Sequence, residues 1–287
     1  MTPLLAEVGY QSNWVEILGA PFMRNAFIGG ILVALAGGMI GYFVVVRGGE
    51  FAAHALGHIG FPGATGAVLL GVSPTLGLGV FCVAGALVIG ALGHRARDQA
   101  VATGTVLAFA TGLGILFASL ATRTTSTVTN VLFGNLLAVS SDQIVVFTIV
   151  ALVIAGVLVV VARPLTLASI SPEVAAAKGL PVRLLGTCFL VLMALATTVA
   201  VQVVGTLLLF ALLVTPPAAA LRFSARPVVV CGLGTVFGLV SVLVGLVVSV
   251  MFNLPPSFFV VTVSTLIWVV SMLATRERHR SEPVREG

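Results

Sequence analysis

The chain has 287 residues, 59% of them hydrophobic and 8% charged, with a mean hydropathy of +1.20. Soluble domains average about 25% charged residues, so a soluble enzyme with a large core is excluded, and the composition reads as an all-α polytopic membrane protein. The net charge of +5 is assigned to cytoplasmic loops rather than to nucleic-acid binding.

Taken in order, residues 1–25 include Trp14, Glu16, Pro21 and Arg24 and read as an interfacial lead-in, too interrupted to cross a bilayer. Spans are expected over about 26–46, 54–72, 76–93, 100–121 and 143–162. The polar connection 122–142 between the fourth and fifth is long enough to be partly re-entrant. The apolar run 184–220 is too long for one crossing, so it divides into two that turn near Gln202–Gly205. Two more spans follow at about 228–250 and 257–274. This makes eight to nine transmembrane helices in a single membrane domain, 1–287, with a cytoplasmic connection at 163–183 and a cytoplasmic tail at 275–287. With nine spans and the amino terminus outside, every basic residue except Arg24 and Arg123 falls on the inside, as the positive-inside rule asks.

Small residues recur at helical spacing, Ala34/Gly38 and Gly37/Gly41 in the first span and Gly234, Gly238, Ser241, Gly245 and Ser249 in the eighth. Such ridges let helices approach closely in lipid. The three cysteines, Cys82, Cys188 and Cys231, have no metal-ligand spacing and read as small apolar fillers.

Ionisable groups enter a span in one stretch, RGGEFAAHALGHIGFPG at 47–63. His54 and His58 stand four apart, which puts both rings on one helix face. Two neutral imidazoles each offer a lone pair to a divalent metal. Pro62 has no N–H for the His58 carbonyl, so a kink is expected beside the pair. A histidine can also serve only to hydrogen-bond a neighbouring carbonyl, but two at this spacing inside a span favour a functional role. Two ligands do not close a zinc shell, which points to a transient site or to one completed by a second subunit. A metalloprotease is disfavoured because Ala55 stands where the general-base glutamate belongs. Two histidines on one face cannot clamp a haem from both sides. No P-loop is present, so any ATP-driven motor is another chain.

Residues 170–183, ISPEVAAAKGLPVR, carry helix signals. Ser171 can cap, Pro172 takes the first turn, Glu173 suits the helix N-terminus, and Gly179 and Pro181 end it after Ala176 and Lys178. The segment reads either as an ordinary loop helix or as a cytoplasmic knob that docks into a partner.

Four stretches together, FVVVRGGEFAAHALGHIGFPGA (43–64), LFGNLLAVSSDQ (132–143), ISPEVAAAKGLPVR (170–183) and VVGTLLLFALLVTPPAAALRF (203–223), resemble the permease subunits of the zinc/manganese family of ABC importers. The resemblance covers most of the chain. It implies a homodimer in the bacterial cytoplasmic (inner) membrane, two ATP-binding cassette subunits inside and an extracytoplasmic metal-binding protein outside. The 170–183 helix would then be the coupling helix. In that family the second span carries an aspartate and, four residues later, a histidine. His58 falls on the histidine and His54 falls where the aspartate stands. An imidazole in place of a carboxylate favours zinc over manganese. No permanent cofactor is expected, only transported Zn2+ or Mn2+. Other readings are an ABC permease for a metal chelate such as a siderophore or cobalamin, a membrane haem protein, and a secondary transporter.

Overall fold

The computed structural model describes residues 14–93, 96–120, 125–206 and 208–281. The first part of the lead-in, the basic residues Arg95 and Arg123 and the end of the tail lie outside what it describes. Among the described residues every regular element is helical: α1 (Trp14–Leu18), α2 (Pro21–Val46), α3 (Glu50–Leu69), α4 (Pro74–Leu92), α5 (Ala96–Leu120), α6 (Thr125–Phe133), a 3-10 turn (Leu136–Ala138), α7 (Ser141–Ile170), α8 (Pro172–Ala177), α9 (Val182–Val204), α10 (Leu209–Leu213), α11 (Thr215–Leu221), α12 (Pro227–Phe252) and α13 (Pro256–Ser281).

Seven of these helices are long and apolar enough to cross a membrane. Helix α3 is not among the seven; its 20 residues give about 30 Å of rise, one hydrocarbon thickness. Its histidines, Glu50 and glycines leave it less apolar than the other seven. The outward surface is what a bilayer requires. Val159 is 83% exposed and Val228 84%, and in water such side chains would cost stability.

The 184–220 run does turn at Gly205, which has φ +81 and follows the last residue of α9. Its second half returns as a broken crossing, α10 and α11, rather than as one helix. Pro216 and Pro217 lie in the first turn of α11, where a missing N–H costs little. The return ends at Arg222, whose guanidinium lies 5.5 Å from the centre of the Trp268 ring on α13. Non-helical backbone inside a membrane must be satisfied by protein. Here the end of α6 and the segment after it supply partners: the Thr206 amide donates to the Val131 carbonyl (2.9 Å) and the Asn135 amide to the Gln202 carbonyl (3.2 Å). Gly134 and Gly205, both at positive φ, touch backbone to backbone, and a side chain at either would separate them.

Helix α2 is the hub. It packs on α12 through the small ridges expected from the sequence. Gly38 meets Thr235, Gly238 meets Ala34 and Gly30 meets Val242. Lipid is as apolar as leucine, so close packing rather than removal from water holds such pairs together. Cys82 is a buried filler as expected, its thiol donating to the Leu56 carbonyl at 3.2 Å.

Three boundaries need correction. The first span begins at Pro21, not Ala26, because Met23 is fully buried and the Asn25 amide donates to the Val139 carbonyl; only α1 and what precedes it remain a lead-in. The histidine helix starts at Glu50, one turn before the expected 54. The fifth span does not stop at Ala162. Helix α7 continues through Pro164 to Ile170, because Leu165 and Ala168 are buried against the bundle and hold the extra turns. The connection expected over 163–183 is therefore helix α7 as far as 170, followed by α8.

Candidate metal path

Helix α3 is gripped on most of its circumference. Gly60 lies against Cys82 and Leu78, Gly63 against Gly77, and Ile59 against Gly85, all on α4. Gly57 faces Leu209, Thr206 and Val201, the α9–α10 break. Phe61 and Pro62 meet Gly114 of α5. At 100° per residue, Phe51, His54 and His58 fall on the same side of α3 as Phe61, Pro62 and Thr65, the side that meets α5 further along the helix. Phe51 is 51% exposed and both histidines are partly buried.

The two rings meet edge to face, with centroids 4.9 Å apart and planes at 73°. With Zn–N bonds of about 2.0–2.1 Å and a tetrahedral angle, two imidazole centroids around one ion stand about 5 Å apart. The pair is thus spaced to share an ion. Among the described residues no group of three or more His, Cys, Asp or Glu could hold a metal, so one chain offers a half-shell.

Pro62 is buried within α3, and the helix runs through it without interruption. The Thr65 hydroxyl donates to the Phe61 carbonyl at 3.1 Å and lies within 3.4 Å of the Gly114 carbonyl, tying the proline turn to α5.

Two cavities flank α3. One, of about 480 Å³, lies at the end where α2 begins and α9 finishes and is lined by Thr75, Asn130, Asn135, Asp142, Gln143 and Gln202 among others. In it the Gln143 amide and the Thr75 hydroxyl both donate to the Gln202 side-chain oxygen, at 2.9 and 2.7 Å. The other, of about 460 Å³, lies at the basic end. Neither is lined by His54 or His58.

The short helix α8 sits at the basic end as an exposed knob. Pro172, Glu173, Ala176, Lys178 and Gly179 are exposed while Ala175 is fully buried and anchors it. Gly179 has φ +76 and ends the helix, as expected. Ser171 does not cap with its side chain. It also ends α7, and only its backbone carbonyl serves α8, accepting from the Ala175 amide at 3.0 Å.

Sequence reasoning missed three features. The Thr197 and Thr206 hydroxyls are buried without a partner. The Gln143–Gln202–Thr75 network joins three helices. Arg47 donates to the Ser169 hydroxyl at 3.1 Å and covers the Phe189 ring at 5.0 Å. All depend on contacts far apart in the chain, although an unpaired Arg47 between two spans was a visible signal.

The ABC 3 transport family matches residues 19–275. The chain belongs to that family. The manganese transport system membrane protein MntC of Listeria innocua is 32% identical over 253 residues, 88% of this chain and 90% of that relative. The manganese import system permease protein ScaB of Streptococcus gordonii is 28% identical over 266 residues, 92% and 95% of the two chains. Among solved structures, PsaBC from Streptococcus pneumoniae in complex with Fab superposes with a TM-score of 0.81 at 27% identity, covering 91% of this chain and 95% of that one. As a member of the ABC 3 transport family, this chain is a multi-pass ABC permease, and relatives along nearly its whole length are named for metal transport.

Proposed function

We propose that this chain forms the translocation path of an ATP-driven importer of divalent metal ions in the bacterial cytoplasmic membrane. It works as a homodimer, with two ATP-binding cassette subunits at the basic end and an extracytoplasmic metal-binding protein at the other. The carrying observation is the His54–His58 pair: two partly buried rings 4.9 Å apart on one face of α3. A second copy that brought its own pair to the same ion would make four imidazoles, enough for a tetrahedral shell. The ion is cargo, and the shell must release it as well as bind it.

Zinc is the ion the donor set favours, since imidazole suits zinc and manganese prefers oxygen. The printed names of the relatives favour manganese, which is the second reading. His54→Asp separates the two. In vesicles holding the permease and its ATPase, the substitution is expected to shift the zinc-to-manganese uptake ratio toward manganese by about tenfold. An unchanged ratio would show that His54 does not select the ion.

The exposed knob α8 fits a groove in the ATPase subunit, with Pro172, Glu173, Ala176 and Lys178 presented outward and Gly179 setting the exit angle. A β-branched residue at positive φ is strained by about 1–2 kcal/mol, so Gly179→Val should tilt the knob. ATP hydrolysis is expected to persist while metal moved per ATP falls several-fold; a normal transport-to-hydrolysis ratio would remove α8 from the coupling route.

A further inference from the structure

The cavity of about 460 Å³ at the basic end is walled by Arg47, Gly48 and Gly49, by Phe51 and Ala52 of α3, by Gln99 and Thr103 of α5, and by Ser169, Pro172, Arg183 and Thr187. Its charge is one-sided. Arg47 and Arg183 both line it, and among the described residues no carboxylate does. Neither Glu50 nor Glu173 is part of the wall. Arg47 is partly buried and has two neutral partners, the Ser169 hydroxyl and the Phe189 ring. Burial pushes its pKa down, the mark of a charge held away from solvent, yet an arginine keeps its proton.

Backbone adds to the same sign. Helices α3 and α9 both begin at this cavity, and neither has a side-chain cap. Their first-turn amides therefore point positive dipole ends toward the space where the two arginines stand. Hydroxyl and amide donors from Thr103, Thr187, Ser169 and Gln99 complete a wall rich in hydrogen-bond donors.

We propose that this cavity binds a phosphate-bearing anion, held by Arg47 and Arg183. The guanidinium fork matches phosphate oxygens, and basic pockets between transmembrane helices near the cytoplasmic face suit anionic headgroups. The bound group would touch the first turn of α3, one turn before His54, and Pro172 at the start of α8. It would brace the histidine helix against the coupling knob. This inference does not depend on which metal is carried.

The experiment measures thermal unfolding of the assembled importer in zwitterionic lipid nanodiscs, with phosphatidylglycerol or cardiolipin titrated in, or with inorganic phosphate added to the buffer. Native mass spectrometry of the same samples counts retained phospholipid. The wild type is expected to be stabilised saturably and to retain phospholipid. Arg183→Gln, at an exposed position, is expected to weaken the apparent affinity about tenfold, and Arg47→Gln at least as much. Stabilisation by anionic lipid alone assigns the phosphate to a headgroup. Equal stabilisation by inorganic phosphate assigns it to a free anion. No saturable stabilisation in the wild type, or the same midpoint in Arg183→Gln, overturns the proposal.

Discussion

Alanine at Gly63 is expected to lower the stability of the purified permease by about 3 kcal/mol and to silence uptake with it. Helices α3 and α4 cross at Gly63 and Gly77 with their backbones in contact. A methyl group on Gly63 would sit against the Gly77 carbonyl and within 2.8 Å of the Phe81 Cβ. The carbonyl belongs to a helix and cannot rotate away as a flexible side chain would. The helices must part, and in lipid nothing compensates for the lost packing. Because α3 carries both histidines, the displacement reaches the proposed ion site. Gly112→Ala on α5 is the control: its Cβ would meet nothing within 4 Å, so the better helix propensity of alanine should leave stability equal or slightly higher. Equilibrium unfolding in mixed micelles reads both. Equal stability of Gly63→Ala and Gly112→Ala would mean that the two glycines are not the contact that sets the α3–α4 distance.

The second large effect is on transport alone. His58→Ala is expected to reduce metal uptake by about two orders of magnitude while assembly with the ATPase and basal ATP hydrolysis survive. Loss of a group that merely orients a ligand costs about 10–100-fold in metal affinity or activity, and loss of a ligand should cost at least as much. His58 is partly buried rather than fully packed, so truncation is expected to cost less stability than loss of a core side chain. Uptake at the wild-type rate in assembled His58→Ala complexes would take the ring out of the path.

Much of the fold was legible because a bilayer imposes simple rules. Apolar length marked the spans, and small-residue ridges marked faces of α2 and α12 that pack closely, though not that they pack on each other. The turn at Gly205 followed from a run too long for one crossing. What the sequence concealed was where prolines fail to end helices. Pro164 lies inside α7 because Leu165 and Ala168, one turn on, are buried and repay the lost hydrogen bond. Pro217 lies inside a crossing because it packs into the gap left by Gly41 and Gly234.

The candidate site was legible in part. The i, i+4 spacing placed His54 and His58 on one face, and their rings do meet. What surrounds the pair was not readable, because it depends on how α4, α5 and α10 divide the circumference of α3. The knob α8 was readable from Pro172, Glu173 and Gly179, but Ser171 was misjudged. A residue that ends one helix and begins the next has its backbone fixed by both, and its φ of −142 and ψ of 82 leave the side chain no cap bond.

X-ray absorption at the zinc edge, on the assembled permease loaded with one ion per dimer, tests the proposed half-shells most directly. A shell of three or four imidazole nitrogens at about 2.0–2.1 Å is expected, more than one chain's pair can supply. A shell of oxygen alone, or one that keeps the same nitrogens when His54 and His58 are both alanine, would contradict it.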